Sequence, residues 1–513
     1  MLFNSYEFLL AFMPVFIIGY FLIRHFYRDD EKLMRLCNLW IIAGSLVFYA
    51  LFGVKNLMVL AASIVINACF FRGFKLGTIG KDKGGGFNKK ILAIGICLNI
   101  LSLLFFKFSG VFFPIAISFY TFNQISYLVD FYRGDIEKFD LLEYLSYILF
   151  FPKLLQGPLM RYDDFACQLK ESAKKSLDWE MVMRGLLLIS LGLFKKVILA
   201  DTIGQAVDYG YNSLATLGWW EAVLVAVFYS FQLYFDFSGY CDVAGGICMI
   251  LGFELSLNFD SPYKAVNIID FWNRWHITLT KFFTGYIYIP LGGSRKGLVR
   301  TYANIMIVFL VSGLWHGSGW TFIVWGAMHG ALNAITRATT NLTVGKKADG
   351  LSTKLDENQR ENHKENHNEM QSAVDKTLVF LKKCGKRLFT FIYVTAAWVF
   401  FRANTISDAL LLFKRMFSGG IRPYYSDFAN YFRLDEIWYV FKLTPIVNFN
   451  FAWDMCMWLF LAASVVIVFF GKSAINYAKE CRIGIFTTLL TALLLVWCVL
   501  SFGGVSTFLY MNF

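Results

Sequence analysis

Two histidines in the middle of an oily chain have neighbours suited to moving protons. His316 ends an apolar run, Ile305 to Leu314, with Trp315 before it and Gly317, Ser318 and Gly319 after it. Imidazole takes a proton from an alcohol near neutral pH, and the small residues let backbone or substrate approach closely. The residues alone allow a second reading, a structural histidine bonding a carbonyl across helices. His276 closes the run Asp270-Phe271-Trp272-Asn273-Arg274-Trp275-His276. Trp272, Trp275, Leu279 and Phe283 fall at helical spacing. The stretch therefore reads as one helix, with Arg274 and His276 facing either lipid headgroups or a polar chamber. Asp236 ends an aromatic-rich apolar helix, where it orients a histidine or caps the next helix. His329 lies in the span after His316 and reads as a satisfied core histidine. Arg295 and Lys296 follow a Gly-rich turn and read as basic anchors.

The elements that hold these residues are dictated by composition. The chain has 513 residues, of which 57% are hydrophobic and 16% charged, with a mean hydropathy of +0.53. Soluble domains sit nearer 45–50% apolar and about 25% charged, so the chain carries more oily surface than a soluble core hides. The net charge of +12 suits basic loops that hold one face of a bilayer; with no soluble basic domain, nucleic acid is not an expected partner. Ten cysteines lie scattered, mostly in apolar stretches, without the Cys/His spacing of a metal site, so no metal is expected.

An all-α integral membrane fold follows. Candidate spans fall at 7–23, 36–53, 56–71, 91–107, 111–130, 141–156, 181–200, 218–238, 300–315, 317–338, 387–402, 452–471 and 485–505, some of them re-entrant. The organisation expected is a membrane bundle over 1–338, a polar loop over 339–386, and C-terminal membrane helices over 387–513. His363 and His367, four apart in that polar stretch, read as exposed side chains. Basic loops at 24–35 and 72–90 place both on the cytoplasmic side and the N-terminus outside. Residues 157–180 are polar and helix-competent and belong along the membrane surface. From about 229 to 330, acids, arginines and histidines lie between spans. Each charge at membrane depth costs about 2.5–3.5 kcal/mol, so a polar chamber inside the bundle is expected, built on irregular backbone at Gly292-Gly293 and Pro290.

Phe271-Trp272-Asn273-Arg274-Trp275-His276, Tyr288-Ile289-Pro290-Leu291-Gly292-Gly293 and Leu314-Trp315-His316-Gly317 together resemble the membrane-bound O-acyltransferase family. The branch they resemble is that of the alginate O-acetyltransferases. Leu2-Phe3-Asn4-Ser5-Tyr6-Glu7-Phe8 and Phe151-Pro152-Lys153-Leu154-Leu155-Gln156-Gly157-Pro158 match the same branch, so the likeness covers most of the chain. It implies a helical bundle with a tunnel across the cell (cytoplasmic) membrane, and His316 and His276 as the two family histidines. Asp236, Asn273, Arg274, Trp315 and Ser318 are the expected substrate or tunnel residues. It implies no permanently bound cofactor, acetyl-CoA as the acyl donor, a polysaccharide acceptor outside the membrane and an extracytoplasmic SGNH-type partner. Two positions depart from the branch: Thr284-Gly285 stands before Tyr286 in place of an Arg-Asp pair, and Asn273 is similar to the teichoic-acid D-alanyl transfer branch, whose donor is an acyl carrier. D-alanyl transfer to teichoic acid is therefore the alternative within the family. A flippase for lipid-linked sugar or a structural scaffold is the alternative outside it.

Overall fold

The computed structural model describes residues 1–27, 29–77, 86–357, 368–420, 427–449, 451–504 and 507–509. Helices dominate, and among the described residues the isolated bridge Phe259–Trp275 is the β-type pairing. A π-helical turn, Glu7–Phe12, leads into α1 (Met13–Phe26), followed by α2 (Asp30–Ala50), α3 (Val54–Gly77) and α4 (Gly86–Phe108). Only 17% of the apolar windows of α3 and α4 is buried, so most of their oily surface is left for lipid.

The spans expected at 111–130 and 141–156 take other forms. The first is α5 (Ile117–Arg133), nearly all of it buried, with Asn123, Gln124 and Asp130 turned inward. The second is broken into α6 (Leu141–Leu149) and α7 (Phe151–Leu154). Pro152 has no N–H with which to continue the α6 ladder, and it sits instead in the first turn of α7. Next, α8 (Tyr162–Lys174) buries Phe165 and Leu169. Lys174–Asp30 (2.6 Å) and Arg161–Asp130 (3.2 Å) tie this segment to the face carrying the 24–35 loop, called here the basic-loop face.

The centre of the bundle is built by α9 (Trp179–Leu193), a π-helical stretch Phe194–Ala200, α10 (Asp201–Asn212) and α11 (Trp219–Leu251). The apolar window of α11 is 89% buried. It packs so tightly on α9 that a Cβ at Gly192 would lie 2.7 Å from the Gly239 carbonyl oxygen. Small residues of this kind are how helices approach in lipid.

Residues 252–297 hold the expected irregular backbone. They contain the short helices α12 (Ile268–Trp272) and α13 (Ile277–Phe283), a π turn Thr284–Tyr288 and a turn in which Gly292, Gly293 and Gly297 have positive φ. Then come α14 (Leu298–His316), α15 (Trp320–Glu357), α16 (Asn368–Arg402), α17 (Ile406–Ser418), α18 (Asp427–Asn430), α19 (Asp435–Lys442), α20 (Ala452–Phe469), α21 (Ala474–Glu480) and α22 (Ile485–Leu500). Helices α15 and α16 run into the polar stretch 339–386 from both sides; His363 and His367 lie outside the described residues. Among the described residues, eight helices are long and apolar enough to cross a membrane, or nine if α20 and α21, bent by 67°, form one broken span. The chain is a multi-pass, all-α membrane protein.

Candidate active site

His316 is the last residue of α14 and is 2% exposed. Three rings surround its imidazole edge-on: Trp315 at 4.5 Å, Phe401 at 5.0 Å and Trp325 at 5.1 Å. Two contacts fix its height. On α4, Lys107 donates to the Trp315 carbonyl, a cation on an otherwise unsatisfied helix C-terminus. On α15, Phe322 presents its carbonyl to Gly313, where a Cβ would come within 2.4 Å. The Trp315 indole stacks on Phe122 at 5.1 Å.

His276 departs from the sequence reading. The helix stops at Trp272, and His276 takes a left-handed conformation (φ +45°) as the residue before α13. That kink buries it to 1% exposure, so it does not face headgroups. The segment is clamped against 258–260: Ile277 N donates to the Asn258 carbonyl at 3.0 Å and Asp260 N to the Arg274 carbonyl at 2.9 Å. Arg274 braces the clamp through Asp270 (2.7 Å) and Asp260 (3.3 Å). A positive φ on a non-glycine residue costs on the order of 1–3 kcal/mol and persists only where its surroundings enforce it.

Two cavities lie at different heights along α14 and α15, neither of them lined by His316 itself. The outer one, about 690 Å³, is lined by Asp201, Asp236, Gln232, Ser318, Phe401 and Asn404 among others. The inner one, about 160 Å³, is lined by Trp272, Asn273, Thr280, Ser312, Asn333 and Arg337 among others. Ser312, one turn before His316, lines the inner cavity; Ser318, two residues after it, and Phe401, whose ring lies against the imidazole, line the outer.

The remaining expected residues divide between these chambers and the frame. Asn273 lines the inner cavity; Ser318 and Asp236 line the outer. Asp236 does not end a helix, because α11 continues to Leu251. Its carboxylate accepts from Lys196 Nζ at 2.7 Å and from Leu509 N at 3.0 Å, so it neither orients a histidine nor caps a helix. Arg274 and Trp315 are framing residues, by the contacts already given. His329 is fully buried and accepts from Trp272 Nε1 at 3.3 Å through Nδ1, while its Nε2 has no hydrogen-bond partner among the described residues, so the expected satisfied core histidine is satisfied on one nitrogen only. Sequence reasoning missed Lys195, Lys196, Asp201 and Asp242, which form ion pairs beside the outer cavity, with Asp201 in its lining. A signal was there to read: two lysines inside the apolar run 181–200, and acids in the next span to match them.

The model of the MBOAT, membrane-bound O-acyltransferase family matches residues 9–344, which takes in both histidines and the whole lining of the inner cavity. The chain belongs to the membrane-bound O-acyltransferase family. It is 35% identical over 459 residues to a peptidoglycan O-acetyltransferase of Helicobacter pylori, spanning 81% of this chain and 80% of that protein. It is 33% identical over 443 residues to a probable alginate O-acetylase, AlgI, of Pseudomonas putida, spanning 82% and 81%. A teichoic acid D-alanyltransferase of Streptococcus thermophilus is 30% identical over a shorter stretch, 42% of this chain and 55% of that protein. As a membrane-bound O-acyltransferase the chain is an enzyme, and the flippase and scaffold readings fall away.

Proposed function

We propose that this O-acyltransferase carries an acetyl group from acetyl-CoA on the basic-loop face, taken as cytoplasmic, to a hydroxyl on the opposite face. The final acceptor in this reading is an extracytoplasmic polysaccharide, reached through an SGNH-type partner protein. What supports this reading is a buried histidine, His316, whose neighbours Ser312 and Ser318 line a narrow chamber and a wide polar one. At about 160 Å³ the inner chamber falls below the roughly 300–1,000 Å³ of drug-sized sites, which suits a short acyl group on a slender thioester arm. The outer chamber presents carboxylates, amides and aromatic rings, the groups that hold a hydroxylated acceptor. The breadth of the match to O-acetyl transferring relatives, against the shorter D-alanyl match, favours acetyl.

In the reaction, His316 takes the proton of the acceptor hydroxyl as its oxygen attacks the thioester carbon. The C–O bond forms, the C–S bond breaks, and the proton passes to the leaving thiolate. General base assistance of this type contributes about 10²–10⁴ in rate, and the aromatic wall keeps the thioester from bulk water. The His316→Ala protein, purified at wild-type yield and assayed with labelled acetyl-CoA and its partner, loses at least about a hundredfold in transfer. Wild-type acetylation by that variant would overturn the role given to His316.

A further inference from the structure

Asn258 is buried to 2% exposure in the loop clamped against His276. Its side-chain oxygen takes three contacts. Thr278 N donates to Oδ1 at 3.2 Å, Thr278 Oγ1 at 2.9 Å, and His276 Nδ1 lies 3.1 Å away. The amide's other end, Nδ2, points to Cys241 Sγ at 3.5 Å. The backbone N–H of Thr278 has no choice of role, so the atom it meets is the carbonyl oxygen and the amide orientation is fixed. An oxygen has no proton to give. His276 Nδ1 must therefore be the donor, and a neutral imidazole with its proton on Nδ1 has its lone pair on Nε2. The Thr278 hydroxyl is held to this task from behind, because Leu159 N donates to Oγ1 at 3.0 Å and leaves that hydroxyl's proton for Asn258.

We infer that Asn258 is a positioning residue that locks His276 in the Nδ1-protonated tautomer, so that the Nε2 of this histidine is a hydrogen-bond acceptor. The inference rests on the proposed function only for its kinetic consequence; the tautomer follows from the contacts. It also accounts for the strained backbone at His276, since the left-handed turn places the ring nitrogen beside the Asn258 oxygen. Asn258→Asp keeps an oxygen acceptor at that place, and Asn258→Leu removes it at similar size.

The test is ¹⁵N-histidine solid-state NMR of the full chain in bilayers, with His276→Gln used to assign the signal, alongside acetyl-CoA kinetics with the partner. The expected result is a protonated Nδ1 and bare Nε2 at His276 in the wild type and in Asn258→Asp. In Asn258→Leu the Nε2-protonated form appears, and kcat falls at least about tenfold, with the KM for acetyl-CoA little changed. A wild-type proton on Nε2, or a tautomer unmoved in Asn258→Leu whatever its rate, overturns the inference. Full transfer by His276→Gln would instead sink the catalytic relevance of His276 and leave the tautomer result standing.

Discussion

Lys195 and Lys196 stand side by side in a helix that sequence alone reads as an ordinary span. Each finds an acid: Lys195 meets Asp242 at 2.6 Å, and Lys196 meets Asp201 and Asp236, both at 2.7 Å. Lys196 is 1% exposed and Asp236 2% at the side chain, so removing the lysine strands the buried carboxylate. Breaking a buried pair from one side costs about 3–5 kcal/mol. Lys196→Met is therefore expected to lower the unfolding midpoint in detergent sharply, and Lys196→Met with Asp236→Asn to recover much of it; equal midpoints for all three proteins would mean the pair carries no charge. At this scale the sequence was legible where a residue is chemically loud in oily surroundings, as at His316. It was silent where the partner lies tens of residues away. Asp236 was found as a conspicuous acid, but its lysine, which decides what that acid does, was not.

Among the elements, α14 and α15 set the height of His316, and their contact is made by glycines on both sides. Gly313 lies against the Phe322 carbonyl and Gly326 against the Phe309 carbonyl; a Cβ at either would come within 2.4 Å of it. Backbone cannot swing aside as a side-chain tip can, so Gly313→Ala must part the helices. Overpacking of this type costs about 1–3 kcal/mol. The expected outcome is a lower thermal midpoint together with reduced transfer, and a variant with both unchanged would show that the two helices separate freely. Long apolar elements such as α3, α4 and α22 could be read from periodicity and length. The breaks could not all be read. Pro152 announces the end of α6, whereas the kink at His276 carries no glycine or proline. It is imposed by the tertiary clamp of 258–260, and that is why Trp272, Trp275, Leu279 and Phe283 looked like one continuous face.

For the whole molecule, the arrangement is a lipid-facing shell around a polar interior, with an aromatic wall around His316. Composition foretold the shell, and the price of charge at membrane depth foretold the interior; neither foretold the wall. The wall's residues, Trp272, Trp315, His316, Trp325 and Phe401, touch one another ring to ring. A dense cluster of rings in the polar interior of a membrane protein also has to act as an electrical insulator. Opening it would short-circuit the membrane the enzyme sits in. Trp325→Ala is thus expected to raise the proton permeability of proteoliposomes under an imposed voltage, while wild type and His316→Gln stay tight. An insulating Trp325→Ala vesicle would place the seal elsewhere.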